Sequence, residues 1–355
     1  MSYSTYITDA LKHYINKMAS IPDFEKLSAV ELKKMEEICF KNRVLAMVGS
    51  VLDECGQKCK LAIEGAKANA TNEFGYYMRM REYKGILVKL IENVEFALVK
   101  GVHIGNLIFK NPFDRPSSDL DILVKYEQVP VVEKILQSSG YKQAYVTTNG
   151  LKDYSRKTKM FYALNAHSLA PFRKIKNNVL YEIDVNFNSR LDDKKSIPAS
   201  EFLKDRTNMN LFGIDVPVLN DTYALLYLSL HHYRESVSLY HIFCGQDFDF
   251  LKACDIYYFF SKIKLDEKKV QDFILKYDVR TELCKIFDDV KSVFGDGDMM
   301  PLELKCDSKQ RENGGIEWPI GLPERLEYDN RFEMIKNQLN KQQSISLSAN
   351  KLFLK

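Results

Sequence analysis

Two aspartates separated by one residue are the most chemically specific feature of the sequence. Asp119 and Asp121 lie in the segment 115–124, RPSSDLDILV, in which charged and apolar residues alternate as in a β-strand. Side chains alternate across a strand, so both carboxylates point to the same face. Mg²⁺ takes oxygen ligands and commonly uses one or two protein carboxylates together with substrate phosphates. The spacing therefore predicts a divalent-metal site suited to phosphoryl displacement.

A further carboxylate lies in a second predicted strand. The segment 179–187, VLYEIDVNF, places Glu182, Asp184 and Asn186 on one face and the intervening apolar residues on the other. Either acid could complete a metal site with the two aspartates. Asp184 is preferred because it is more central in the strand.

Other polar residues near the aspartates could contact phosphate. The guanidinium of Arg115 could pair with phosphate oxygens, or it could form a salt bridge with Asp114 or Asp119. Four residues lie in predicted turns and could reach a phosphate or serve only local structure: Lys100, Gly101, Ser117 and Ser118.

Two histidines are weaker candidates for the site. His231 lies on an apolar helix and is expected to pack or to cap locally. His167 lies before the strand of the third acid and could approach the site.

The secondary structure predicted to position these residues changes along the chain, from helices to strands and back to helices. Residues 29–93 have a helical period, with a capping box at Ser28 and Glu31, and a long helix is predicted over 72–91. Short apolar runs predict strands at 96–99, 120–124, 145–148, 160–164 and 179–187. Helices are predicted at 130–139, 221–233, 247–263, 267–277, 281–294 and 323–342, with a loop at 295–321.

The motifs together resemble a known family. It is the nucleotidyltransferase-like family, a largely uncharacterised bacterial group of the DNA polymerase β nucleotidyltransferase superfamily. Leu98–Gly101 (LVKG) matches the first family element, and 115–124 matches the second closely. Residues 183–187 stand where the family has V-E-L-H-W, so that Asp184 replaces Glu and Asn186 replaces His. The likeness extends over about 30–262.

This resemblance implies a fold class and an activity. The fold would be α+β, a polymerase-β-type mixed sheet flanked by N- and C-terminal helical regions. The enzyme would move an NMP from an NTP such as ATP to an acceptor hydroxyl, releasing pyrophosphate, with Mg²⁺ or Mn²⁺ as cofactor. The implied metal ligands and catalytic residues are Asp119, Asp121 and Asp184. The implied nucleotide-binding residues are Lys100, Gly101, Arg115, Ser117 and Ser118.

The order of the predicted helices and strands divides the chain into four regions. They are an N-terminal helical region (1–93), an α/β core (94–190), a C-terminal helical region (191–294), and a loop with a terminal helix or tail (295–355). Two other functions remain open at this point. The same scaffold could transfer a sugar or phosphate group from a nucleotide donor, or it could bind a nucleotide or a partner without catalysis.

The composition limits the partners. The 355 residues include 51 Lys and Arg against 48 Asp and Glu, a formal net charge of +3. Such a small charge gives no reason to expect a membrane surface or a long nucleic acid, so the acceptor is expected to be a small molecule, peptide or protein. No apolar run reaches the roughly 18 residues that span a bilayer, and residues 1–18 lack a signal-peptide core. We therefore expect a cytoplasmic protein.

Overall fold

The computed structural model describes residues 2–17, 20–190, 195–238, 241–242 and 247–295. The predicted helix at 323–342 and almost all of the predicted loop at 295–321 lie outside these residues. No helix in the described ranges is long and apolar enough to cross a membrane. The architecture is the expected α+β one, a mixed sheet with helical regions before and after it.

Helices form the N-terminal region, as the helical period predicts. Those preceding the sheet within the described residues are α1 (Tyr3–Asn16), α2 (Ala29–Lys41), α3 (Leu45–Glu54) and α4 (Lys60–Asn93). The capping box at Ser28 and Glu31 is present at the start of α2. Helix α4 starts at Lys60 rather than near residue 72, because residues 60–71 contain Leu, Ala, Lys and Glu, which favour helix.

The main sheet has eight strands among the described residues. They are β1 (Phe96–Leu98), β2 (Asp119–Val124), β3 (Lys142–Thr147), β4 (Gly150–Asp153), β5 (Phe172–Lys176), β6 (Val179–Asn186), β9 (Arg206–Leu211) and β10 (Ile214–Leu219). Their spatial order is β4-β3-β5-β6-β2-β1-β10-β9. Strand β2 is parallel to β6 and β1 is parallel to β10, whereas the other neighbours are antiparallel. Strands β7 (Asn188–Arg190) and β8 (Ser196–Pro198) form a separate pair.

The remaining helices follow or connect the strands. They are α5 (Lys100–Ile108), α6 (Val129–Ser138), α7 (Arg156–Asn165), α8 (Ala199–Leu203), α9 (Asp221–Val237), α10 (Phe250–Lys262), α11 (Glu267–Tyr277) and α12 (Arg280–Phe294). The strand predicted at 160–164 is wrong, because these residues belong to α7. A five-residue apolar run does not distinguish strand from helix, and Ser155 caps this helix by accepting a hydrogen bond from the Thr158 amide.

Helical layers cover both faces of the sheet. Leu120, Ile122 and Val124 of β2 join one apolar core with α4 and α6. The alternate residue Leu123 joins the other core, which the N-terminal helices α1–α3 form together with α9–α12. The aspartates of β2 alternate with the first set, so they face this second, mainly helical layer.

Candidate active site

Sheet register brings the three predicted metal ligands together. Strands β2 and β6 are parallel neighbours, with Asp119 opposite Glu182 and Asp121 opposite Asp184. One carboxylate oxygen from each of Asp119, Asp121 and Asp184 lies within 4.8 Å of the others. Glu182, the alternative third acid, instead accepts a hydrogen bond from Arg173 Nε at 2.5 Å.

The cluster carries more negative charge than the residues around it neutralise. Burial raises the pKa of Asp121 to about 6, although the ammonium of Lys100 opposes the shift. Burial, together with repulsion from Asp121 and Asp119, raises the pKa of Asp184 well above its usual range. A cation among these oxygens would reverse both effects.

Lys100 and Asn186 contact the same carboxylate. The Nζ atom of Lys100 forms an ion pair with Asp121 Oδ1. Asn186 Nδ2 donates to the same oxygen at 3.3 Å. Burial alone would lower the pKa of Lys100, but Asp121 and its neighbours raise it above its usual value. Lys100 is therefore charged, and it supplies one positive charge against three carboxyl groups.

The Lys100–Gly101 dipeptide begins helix α5 directly after β1, where the sequence predicted a turn. Lys100 has a left-handed backbone with φ of 52°. A Cβ on Gly101 would lie 2.2 Å from Ser117 Oγ, so only glycine lets the serine approach this closely. Ser117 Oγ lies 3.2 Å from the Asp119 carbonyl oxygen and 3.3 Å from its Oδ1. Ser118 also lines the cleft.

Arg115 is paired with a carboxylate from the C-terminal helical region. Its Nε and Nη2 atoms donate to the two oxygens of Asp255 on α10, at 2.7 and 2.8 Å. The carboxylates considered from the sequence, Asp114 and Asp119, are not its partners. Asp114 instead accepts a hydrogen bond from the Tyr14 hydroxyl at 2.6 Å. Arg115 nevertheless lines the cleft beside Gly101.

The cleft has a volume of about 600 Å³ and contains more cations than the sequence indicated. Sequence reasoning missed five charged residues in its wall: Arg43, Arg79, Arg234, Glu235 and Lys252. They come from a loop near residue 43 and from α4, α9 and α10, and no local motif relates them to the aspartates. His167 lines the cleft, as considered from the sequence, and so does His231.

A second group of potential metal ligands lies on α9. His231, His232 and Glu235 offer atoms within 4.8 Å of one another. Lys252 Nζ already binds Glu235 Oε2 at 2.6 Å, however, and the Arg234 guanidinium donates to His231 Nδ1 at 2.7 Å. These two positive groups disfavour a further cation. The aspartate cluster is therefore the better cation site.

One family model matches most of the chain. A model of a family described as uncharacterised nucleotidyltransferases matches residues 28–295. A search of curated proteins finds no significant match. Among solved structures, the chain is similar to an antigenic nucleotidyltransferase-like protein from Paracoccidioides brasiliensis, with 13% identity and a TM-score of 0.32. That alignment covers 58% of this chain and 91% of the other.

Proposed function

The chain belongs to this family of uncharacterised nucleotidyltransferases, and we propose that it moves an NMP from an NTP to an acceptor hydroxyl with release of pyrophosphate. The proposal includes membership of the DNA polymerase β superfamily. The observation that carries it is the convergence of Asp119, Asp121 and Asp184, from two parallel strands, in the wall of a cationic cleft.

The residues present fit a divalent metal ion. Three carboxylate oxygens lie close together, and the buried Oδ1 of Asp184 has no hydrogen-bond partner among the described residues. Oxygen donors of this kind suit Mg²⁺ or Mn²⁺. Asp119, Asp121 and Asp184 would hold the ion. When bound, it would neutralise charge on the NTP phosphates and on the leaving pyrophosphate.

The chain's own groups would position the two substrates. Gly101, Ser117 and Ser118 border the cleft next to Asp119, where they would contact the NTP phosphates. Lys100 and Arg115 place positive charge beside the same turn. Such fixed donors lower the barrier by orienting the NTP and by stabilising charge that develops in the transition state.

The transfer forms one bond and breaks one bond. The acceptor oxygen bonds to the α-phosphorus, and the bond from that phosphorus to the bridging oxygen breaks, so that pyrophosphate leaves with the electron pair. The acceptor hydroxyl must lose its proton. We assign this proton to Asp184, whose carboxylate lies in the same cluster as those of Asp119 and Asp121.

Labelled nucleotide tests this function and separates it from phosphate or sugar transfer. The full chain is incubated with Mg²⁺, a cell extract as the source of acceptor, and either α- or γ-³²P-labelled NTP. NMP transfer places the α-label in a product and the γ-label in pyrophosphate. Asp121→Ala should lose α-label incorporation by about 100-fold or more while keeping its fold. Wild-type incorporation in Asp121→Ala, or transfer of the γ-label instead, contradicts the proposal.

A further inference from the structure

Lys100 is held beside Asp121 by the backbone at the end of strand β1. The Val99 amide donates a hydrogen bond to the Asp121 carbonyl oxygen at 3.1 Å, which fixes the residue that follows it next to this aspartate. The backbone of Lys100 is left-handed, with φ of 52°, a conformation that residues other than glycine rarely adopt unless their surroundings hold them there. The residue is only 9% exposed. The position of its side chain is therefore set by the fold.

The ammonium group of Lys100 occupies one oxygen of the aspartate cluster. Its Nζ atom is ion-paired with Asp121 Oδ1, and Asn186 Nδ2 donates a hydrogen bond to the same oxygen at 3.3 Å. A metal ion bound to this oxygen would meet the positive charge of the ammonium group, and the repulsion disfavours it. Asp121 therefore keeps its other oxygen, Oδ2, for a metal ion.

The other two carboxylates of the cluster form no ion pair with a residue that the structure describes. Asp119 Oδ1 lies 3.3 Å from a neutral serine hydroxyl, and the buried Oδ1 of Asp184 has no hydrogen-bond partner among the same residues. Arg79 and Arg234 also line the cleft, but neither is ion-paired with the cluster in the described part of the chain. Within that part, Lys100 is thus the cation bound to the cluster.

The charges of these groups match one divalent ion. Three ionised carboxylates carry three negative charges, and the ammonium group of Lys100 offsets one of them. A single divalent ion balances the remaining two. Two-metal sites for phosphoryl displacement hold their ions about 4 Å apart, which requires carboxylate oxygens that face both ions. Because Oδ1 of Asp121 is already bound to an ammonium group, a second ion at the cluster would be repelled.

We propose that the aspartate cluster binds a single divalent ion, and that the ammonium group of Lys100 supplies the positive charge that a second ion brings to a two-metal site. This inference rests on the proposed function, to which it adds the number of metal ions and the role of Lys100. Lys100 acts through Asp121, so it is a positioning residue of the metal site. Removal of its charge should open the cluster to a second ion.

Mn²⁺ titration monitored by electron paramagnetic resonance counts the ions directly. The full chain is titrated alone and with an equimolar NTP analogue that carries a methylene group between its α- and β-phosphates. Ions at the cluster are those whose binding is lost in Asp119→Ala. We expect one such Mn²⁺ per wild-type chain in both conditions. Lys100→Met should raise the number to two, and two ions about 4 Å apart should give a spin-coupled spectrum that a single ion does not give.

Three further variants control this count. Lys100→Gly removes the same charge and suits the left-handed backbone, so it should also bind two ions even where Lys100→Met fails to fold. Lys100→Arg keeps the charge and should bind one ion. Lys142→Met removes an exposed lysine outside the cleft and should likewise bind one ion.

Two kinds of result would overturn the inference. They are two ions at the cluster in the wild type or in Lys142→Met, and a single ion in both Lys100→Met and Lys100→Gly. Either result leaves the proposed function intact, because a two-metal site also supports NMP transfer. Failure of the proposed function has a different signature, since no Mn²⁺ would then bind at the wild-type cluster, and the inference would fall with it.

Discussion

Asp119, Asp121 and Asp184 form a cluster of carboxyl groups, and the ammonium group of Lys100 is paired with Asp121. Burial and mutual repulsion raise the pKa values of Asp121 and Asp184, so the ionised cluster is unfavourable by itself. A divalent ion would offset both effects. The contribution of each carboxylate can therefore be measured as a change in metal affinity.

Asp184→Asn and Glu182→Gln form a matched pair on strand β6. Both acids lie on the same face two residues apart, but Glu182 is bound to Arg173. We expect Asp184→Asn to weaken Mn²⁺ binding about tenfold or more. Glu182→Gln should stay within about twofold of wild type, since it holds no metal. Mn²⁺ titrations monitored by electron paramagnetic resonance measure both affinities. Equal losses of affinity in the two variants would contradict the assignment of Asp184.

Gly101→Ala tests the close contact between helix α5 and the turn before β2. The new Cβ would lie 2.2 Å from Ser117 Oγ, so the Ser117 hydroxyl must rotate away from Asp119, and Mg²⁺–NTP affinity should fall about tenfold. Ser117→Gly removes the atoms that clash. The double variant Gly101→Ala/Ser117→Gly should therefore be more stable to urea than Gly101→Ala alone. Additive losses in the double variant would show that this contact is not the cause.

At the scale of elements, helices α3 and α4 cross at two glycines. A Cβ on Gly49 would lie 2.4 Å from the Cα atom of Gly65, and a Cβ on Gly65 would lie 2.3 Å from that of Gly49. The backbones are in direct contact, and neither helix can move away without disturbing the core that α1, α2 and α10 share with them. This crossing fixes the start of α4, whose middle residues Asn72 and Arg79 line the cleft.

Gly49→Ala should destabilise the protein, and Gly85→Ala provides its control. Overpacking of this kind costs about 1–3 kcal/mol in the free energy of unfolding. Gly85 lies in the same helix α4 but has open space around its Cβ position, so Ala there should stabilise by about 0.5–1 kcal/mol through helix propensity. Urea denaturation measures both changes. An unchanged free energy of unfolding in Gly49→Ala would show that the helices separate at little cost.

The elements that carry the aspartates were predictable, whereas their surroundings were not. Alternating Asp and apolar residues identify β2 and β6 because one face of each is buried. The run 160–164 was misassigned because it is short and its helix exposes Met160 and Phe161. The hairpin of β9 and β10, which extends the sheet to residue 219, has no strong turn dipeptide.

At the scale of the molecule, an ion pair joins the C-terminal helices to the site. Asp255 of α10 is fully buried and binds Arg115, four residues before Asp119. His232 of α9 lies 3.3 Å from the same carboxylate. No sequence pattern could reveal this pairing, because its partners are 140 positions apart. The position of the aspartate turn thus depends on the helical region that follows the sheet.

Acid should destabilise the protein through Asp255. Burial opposes ionisation of this carboxyl, yet Arg115 and His232 hold its pKa at about 2, below the unfolded value of about 3.9. The ionised Asp255 therefore stabilises the folded state fully above about pH 4. This stabilisation is lost as pH falls through about 2, which lowers the free energy of unfolding by about 2–3 kcal/mol. Urea unfolding between pH 2 and 6 measures the slope, which should be smaller in Asp255→Asn. An equal slope in this variant would exclude Asp255 as the source.

Thermal unfolding with Mg²⁺ and each of the four NTPs, compared between wild type and Asp119→Ala, tests the central claim most directly. A ligand at a hundred times its dissociation constant adds about 2.7 kcal/mol to the free energy of unfolding, which corresponds to a shift of several degrees. We expect a Mg²⁺-dependent shift with at least one NTP, and its loss in Asp119→Ala. An absence of any shift in wild type, or an equal shift in the variant, would contradict a metal-dependent nucleotide site at the aspartates.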